Sequence, residues 1–395
     1  MRLDVPGLDA LSLAGKRVLC RVDFNVPLDD ERRITDDTRI RAALPTLEAI
    51  LAAGGRPVLL SHLGRPKGEV VDTLRLNPVG ERLAELLGKP VQKLDASVGE
   101  DVERAVAGAA DGTTVLLDNV RFHGGETKGD RDLAAAYARL GDVFVNDAFG
   151  TSHRDHSSVS GPARLLPAAA GLLLQRELEA FRRVLDAPEK PFVAVLGGAK
   201  VSDKLPVIEN LCEKVDRILV GGGMAYTFLV ARGEGVGSSL VQEDQLDLVR
   251  RALARAEECG SEILLPSDHV VAEAFAADSP AEVVDAIPDG RMALDVGPKT
   301  QERYAAAVRE ARTVVWNGPM GVFEWEAFRA GTEAVGRAVA ECGGYTVVGG
   351  GDSVAAIGLL GLGERIDHIS TGGGASLELL EGKTLPGIAA LFPAG

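Results

Sequence analysis

The sequence predicts an α/β protein of two domains, each built on a mostly parallel sheet. Three observations carry this. Short β-branched or apolar runs recur along the chain with helical patterns between many of them, the alternation expected of parallel α/β folds. The runs are continuously apolar, as strands buried on both faces are. At 395 residues the chain exceeds what one ordinary core supports.

In the first half the strand candidates are RVLCRVDF (17–24), PVLLSHL (57–63), TVLLDNV (114–120) and DVFVNDAF (142–149). In the second they are PFVAVLGG (191–198), RILVGGG (217–223), EILLP (262–266), TVVWNGP (313–319), YTVVGGG (345–351) and HISTGGG (368–374). Helical patterns include 38–53, 77–87, 242–259 and 301–312. The stretch LLQRELEAFRRVLDAPEKPF (173–192) reads as a polar-faced helix stopped by Pro188 and Pro191. This places a linking helix over 171–187, with domains over 1–170 and 188–378. No repeat of fixed period is evident.

Composition narrows the function. Lys plus Arg number 43 against 58 Asp plus Glu, a net charge of −15, which argues against nonspecific nucleic-acid binding. Cys20, Cys212, Cys259 and Cys342 form no CxxC pair and no metal-ligand spacing, so neither a disulfide framework nor a zinc site is expected, and a reducing cytoplasm suits them. The N-terminus has no signal-peptide core and no apolar run spans a membrane.

The strand ends of the two halves differ. Five of the six second-half runs end in a glycine-containing turn. Ligands of an open parallel sheet bind beyond the carboxyl ends of its strands, and glycine turns before helices seat phosphate. In VVGGGDSVAA (347–356) three glycines precede an Asp and a helix start. A nucleoside triphosphate suits such an edge, although neither a GxxxxGK[ST] loop nor a well-placed GxGxxG is present. The first half instead carries Asp23, Asn25, His62, Arg65, Arg121, His123, His153, Arg154 and His156 at strand ends and in the loops that follow. This is the inventory of a small site for phosphate plus carboxylate, with Arg supplying bidentate forks.

Plainer readings accompany several of these residues. Arg39 in DDTRIRAA has Asp36 and Asp37 for surface salt bridges, Lys200 and Lys204 could share a solvated face, and Asp352 suits a helix N-cap. Glu324 sits between Phe323 and Trp325, and Trp316 reads as core. Two other function classes stay open from the residues alone. One is a dinucleotide-dependent dehydrogenase, weakened by the missing fingerprint; the other is a non-catalytic nucleotide-binding or scaffold protein, opposed by the pairing of Arg39 with Lys200.

Nine stretches resemble the phosphoglycerate kinase family, in the family's order and over nearly the whole chain. They are RVDFNVP (21–27), SHLGRP (61–66), LLDNVRFH (116–123), VNDAFGTSHRDHSS (145–158), LGGAKVSDK (196–204), VGGGMAYTF (220–228), VVWNGPMGVFEWEAF (314–328), GGGDS (349–353) and STGGGASLELLEGKTLPG (370–387). The resemblance implies two doubly wound, Rossmann-like parallel-sheet domains joined by a linking helix and hinge, with 379–395 packing back toward the first domain. It implies reversible, Mg²⁺-dependent transfer between ATP and 3-phosphoglycerate, giving 1,3-bisphosphoglycerate and ADP, in a cytoplasmic, glycolytic monomer. Asp23, Asn25, Arg39, His62, Arg65, Arg121 and Arg154 match phosphoglycerate-site positions. Lys204, Ala293, Glu324, Gly350, Gly351, Asp352 and Ser353 match nucleotide-site positions, with Asp352 the metal-associated acid. Arg39, Lys200, Gly373 and Gly374 match positions around the moving phosphoryl group.

Three positions depart from the family's usual pattern: Ser238 where Lys is common, Ala293 where Gly often lines the adenine pocket, and Asp118 where Glu is frequent. The acceptor of such a reaction is a carboxylate, already ionised at neutral pH. His62 is therefore expected to bind substrate rather than remove a proton. Catalysis reduces to alignment and charge neutralisation, and closure of a hinge near 171–187 would exclude water.

Overall fold

A computed structural model of the chain describes residues 2–392. It divides into two compact units, Met1–Glu179 with Thr384–Gly395, and Ala180–Lys383. The division falls inside the helix Leu172–Leu185.

In the first unit the strands are β1 (Arg17–Arg21), β2 (Arg56–Leu60), β3 (Val91–Lys93), β4 (Thr114–Leu116), β5 (Val143–Asn146) and β6 (Ala168–Ala170). They form one parallel sheet in the order β3-β4-β2-β1-β5-β6. The continuous apolar runs have the cause expected of them: Val18, Leu19, Cys20, Val58, Leu59, Leu60, Phe144 and Val145 are all buried. The core gathers Val18, Cys20, Leu59 and Val145 with Ile40, Leu47, Val79 and Leu83 from the helices Thr38–Ala52 and Asn77–Leu87. Burying each such side chain is worth roughly 1.5–3 kcal/mol.

The second unit holds β7 (Phe192–Leu196), β8 (Arg217–Val220), β9 (Glu262–Leu264), β10 (His269–Ala272), β11 (Glu282–Val284), β12 (Met292–Val296), β13 (Thr313–Asn317), β14 (Tyr345–Gly349) and β15 (His368–Ile369). Six of them make a parallel sheet in the order β15-β14-β13-β7-β8-β9. Trp316 in β13 is fully buried in its core and donates from Nε1 to the Gly318 carbonyl at 2.8 Å.

Both large sheets are doubly wound. The strand order turns at β1/β5 in the first and at β7/β13 in the second. These turning points are where a crevice opens at the carboxyl edge of such a sheet. They put Asp23 after β1, and Gly197 and Gly318 after β7 and β13, at these two crevices.

The remaining strands form an antiparallel sheet, β11-β10-β12, absent from the sequence reading. Its outer strand β11 is short and largely exposed, so it carries no apolar run. The edge strands β3 and β6 were also unmarked: VQK has no apolar pattern, and AAA has no β-branched residue. Residues 379–383, read as the start of the returning segment, stay with the second unit, where Asn210 Nδ2 donates to the Leu380 carbonyl at 2.8 Å. The chain rejoins the first unit from Thr384. There Gly387 N donates to the Ser152 carbonyl (2.8 Å), and Asn146 Nδ2 to the Gly387 carbonyl (3.0 Å). Met1 and residues 393–395 of the expected segments lie outside the described residues.

Candidate active-site edges of the two units

The first unit gathers cations around one buried acid. Arg39, in the first turn of the helix Thr38–Ala52, donates from a terminal nitrogen to Asp23 Oδ2 at 2.9 Å. Asp36 and Asp37 are not its partners; Asp37 holds Arg41 and Arg82, each at 2.8 Å. Burial pushes Asp23 up, but His62, Arg39 and Arg21 more than offset it, so its carboxyl stays below the usual range. Asn25 Oδ1 accepts from Gly64 N at 2.8 Å, and Arg121 donates to the Gly64 carbonyl at 2.8 Å. The loop before Arg65 is thus pinned from both sides. Arg65 and Arg154 themselves are exposed.

His62 is buried, and burial pushes its pKa down to about 3, with Arg21, Arg121 and Arg39 adding to the drop. It is neutral at any working pH. Arg21 lies 3.3 Å from its Nδ1 and can only donate, which suits the tautomer protonated on Nε2, while Asp23 Oδ1 stands 3.7 Å from the same Nδ1. His153 and His156 are likewise pushed down to about 4, by burial first and then by neighbouring cations, Arg154 for both. Arg121 is also lowered, by burial and by Arg21 and Arg65. Arg21 at the end of β1, Arg39 at a helix start, and Arg65, Arg121 and Arg154 from the loops act on one another or on the same histidines, so cations from several segments stand near one another. The acids offsetting them are Asp23 and Glu126, and an anion would relieve the crowding.

Arg21 and Glu126 escaped the sequence reading as site residues. Arg21 is fully buried in β1; its Nε donates to Ser158 Oγ at 2.9 Å, and Ser158 Oγ donates to the buried Glu126 at 2.6 Å. A charged residue closing the apolar run RVLCR was the available signal. A larger cleft of about 970 Å³ lies elsewhere on this unit, between Glu31–Asp37 and the helix Asn77–Leu87. It contains none of the predicted residues, and its Arg75 and Arg82 are already paired with Asp72, Asp118, Asp37 and Glu85.

The second unit presents a cavity of about 470 Å³ at the β7/β13 turning point. Lys200, Lys204, Gly350, Gly351, Asp352, Ser353, Gly373 and Gly374 all line it, together with Gly197, Gly198, Asp203, Asn317 and Gly318. The helix Gly351–Leu359 starts here, and its first N–H groups lie before the first intrahelical bond, Val354 N to the Gly350 carbonyl. Asp352 lies in the first turn of that helix; its N-cap is Gly350, which corrects the capping reading. Ser353 Oγ accepts from Gly318 N at 2.6 Å, which leaves its hydroxyl proton and its backbone N–H to offer a ligand. A Cβ on Gly351 or Gly373 would meet nothing within 4 Å.

Lys200 is exposed. Lys204 is buried and donates to Asn317 Oδ1. Burial pushes its pKa down to about 8, against the pull of Asp203, Asp352 and Glu381. Asn317 Nδ2 is buried without a partner, a donor left over in the cavity wall. The sequence reading missed it, although a polar residue ending the apolar run TVVWN marks it.

Two further features mark this edge. The glycines at 221–223 do not line the cavity. A Cβ on Gly221 would stand 2.5 Å from Met320 Sδ, so Gly221 packs against that side chain. Ala293 and Glu324 lie outside the cavity as well. Ala293 is in β12, its N–H held by Ser239 Oγ at 3.0 Å, and the next residue, Leu294, accepts from Val322 N at 2.9 Å. The loop carrying Glu324 is therefore stitched to the small sheet.

Comparison with known proteins gives the family. The sequence profile of the family described as phosphoglycerate kinase matches residues 8–383. The phosphoglycerate kinase of Moorella thermoacetica is 58% identical over 386 residues, covering 97% of this chain and 98% of that one. That of Synechococcus elongatus is 54% identical, covering 97% of each. The structure of phosphoglycerate kinase from Coxiella burnetii superimposes with a TM-score of 0.89 at 42% identity, covering 98% of each chain. By a match that runs from one end of both units to the other, the chain belongs to the phosphoglycerate kinase family.

Proposed function

We propose that the chain catalyses reversible phosphoryl transfer between ATP and 3-phosphoglycerate, giving ADP and 1,3-bisphosphoglycerate. The observation that carries this reading is the division of labour between the edges. One is a crowd of cations around Asp23, suited to a small phosphate and carboxylate ligand. The other is a cavity of glycine turns with Lys200 and Lys204, suited to a polyphosphate.

Arg121, Arg65 and Arg154 would anchor the phosphate of phosphoglycerate, while Asn25 and neutral His62, donating from Nε2, orient it. The acceptor carboxylate is ionised, so no side chain need take a proton. Arg39 and Lys200 would neutralise the moving phosphoryl as charge spreads over its oxygens. Amides of Gly373 and Gly374 add fixed dipoles. Glu324 and Ala293 are assigned to ribose and adenine. The reaction requires the two substrates to be brought in line, a step assigned to a hinge at the helix Leu172–Leu185.

The donor set fits a hard cation carried in with the nucleotide. Among the described residues no group of three or more His, Cys, Asp or Glu could hold a metal alone. Asp352 offers one carboxylate in the phosphate cavity, and Mg²⁺ is bound through one or two carboxylates plus substrate phosphates. Bound there, Mg²⁺ would screen the triphosphate charge. The protein would work as a cytoplasmic, glycolytic monomer; no helix among the described residues is long and apolar enough to cross a membrane.

A coupled assay decides the reading: ADP should form from MgATP only when 3-phosphoglycerate is present. ATP loss without phosphoglycerate dependence, or none at all, would refute it. Asp352→Asn should lower turnover roughly 100-fold and weaken the Mg²⁺ dependence, with the fold unchanged by circular dichroism. A parent-like Mg²⁺ response would remove Asp352 from the metal.

A further inference from the structure

Cys212 and Cys259 are 47 positions apart in sequence, yet their sulfurs stand 3.3 Å from each other. Each closes a helix. Cys212 is the C-cap of Leu205–Leu211, and Cys259 is the last residue of Leu246–Cys259. Both are free thiols; Cys212 is buried and Cys259 partly exposed.

Their proximity is held by other bonds. Ser261, two residues beyond Cys259, has its Oγ 2.6 Å from the carbonyls of both Cys212 and Val215, which share its one proton. Arg255, one turn before Cys259, pairs with Glu213, the neighbour of Cys212. The two helix ends are therefore clamped on either side of the sulfurs. The Cys212 thiol donates to the Glu209 carbonyl at 3.1 Å, which turns a sulfur lone pair toward Cys259. Bonded sulfurs stand about 2.05 Å apart, so closure needs a movement of little more than an ångström. The other two thiols are placed differently: Cys20 is buried in β1 of the first unit, and Cys342 donates to the Ala311 carbonyl at 3.4 Å.

We infer that Cys212 and Cys259 form a redox-modifiable pair that closes to an intramolecular disulfide when a low-molecular-weight disulfide oxidant is supplied. Cys259, the more accessible partner, attacks one sulfur of the oxidant as its thiolate. One oxidant thiolate leaves, and a mixed disulfide remains on Cys259. Cys212 gives up its proton and attacks Cys259 Sγ, expelling the second thiolate. Two protein thiols lose two electrons and two protons, and the oxidant becomes two thiols. A dithiol reductant reverses the reaction. The bond would tie down the far end of the short helix that follows Lys204.

The test incubates the full chain with oxidised glutathione. Two of the four thiols should be lost, with the intact mass falling by about 2 Da. A peptide map should link Cys212 to Cys259, and the melting temperature should rise on the order of 5 °C, reversing with dithiothreitol. In Cys212→Ser the reaction should stop at a glutathione adduct on Cys259, and in Cys259→Ser the buried Cys212 should stay unmodified. Four surviving thiols, a lasting glutathione adduct in the parent, or a different pair in the map would overturn the inference. The parent's map decides it even if a variant fails to fold.

Discussion

The two candidate ligand edges occupy the same place in two similar sheets and are made of different material. In the first unit the site is side chains: Arg39, Arg65, Arg121, Arg154 and His62 around Asp23, with the buried Arg21, Ser158 and Glu126 beneath. In the second it is largely backbone, with Lys200, Lys204 and Asp352 added. A small ligand with two charged ends needs directional forks to fix it. A long polyphosphate needs many N–H groups close in, which side chains would obstruct. The difference teaches where each edge is vulnerable. The first should fail when a charge is removed, the second when a Cβ is added.

The largest effects should come from the cations assigned to the moving group. Arg39→Ala and Lys200→Ala should each cost roughly 10³-fold in kcat with a small change in KM. Arg121→Ala should instead raise the KM for phosphoglycerate more than it lowers kcat, because a remote anchor binds ground state and transition state alike. Steady-state kinetics on the three variants checks this. If Arg39→Ala changed only KM, Arg39 would join the anchors.

Added methyl groups should separate two kinds of glycine. Gly318 has φ +101°, and a Cβ there would stand 2.1 Å from the Gly197 carbonyl oxygen. Gly318→Ala should destabilise the second unit by about 3 kcal/mol or more, visible in urea unfolding. Gly351→Ala meets nothing within 4 Å, so its melting should match the parent while the KM for ATP rises on the order of tenfold. Equal loss of stability in both would mean that the second cavity is a packing feature rather than a binding surface.

Much of this was legible in the sequence because its causes are local. Continuous apolar runs mark buried parallel strands, and turns such as the one before Asp352 mark the phosphate edge. The supporting residues were less legible because their roles depend on distant partners. Arg21 meets Ser158 and Glu126, and Asn317 meets Lys204, only once the sheets have formed. Local spacing could not show that Gly221 packs against Met320 either. Nor could it bring Cys212 to Cys259.

Lys204 gives the smallest effect and the sharpest sign. Burial pushes it down to about 8, and Asp203, Asp352 and Glu381 act in the opposite sense. Below that pH it is charged and attracts phosphate; above it the free protein holds it neutral. Nucleotide binding must then take up a proton, so affinity should fall between pH 7 and pH 9 by up to about tenfold per unit above 8. Folding should respond in the opposite direction. An unfolded lysine keeps its proton up to its ordinary value near 10.5, so between about 8 and 10.5 the unfolded chain binds more protons than the folded one. This group's contribution to stability therefore rises with pH across that window. Calorimetric titration with ADP at pH 7 and pH 9, beside urea unfolding at the same two values, measures both slopes. Lys204→Arg should flatten the affinity slope because guanidinium keeps its charge, and Lys204→Met should remove Lys204's share of both. A parent whose nucleotide affinity held constant to pH 9 would show that Lys204 stays charged in its pocket. The pairing with the acids, rather than burial, would then set its state.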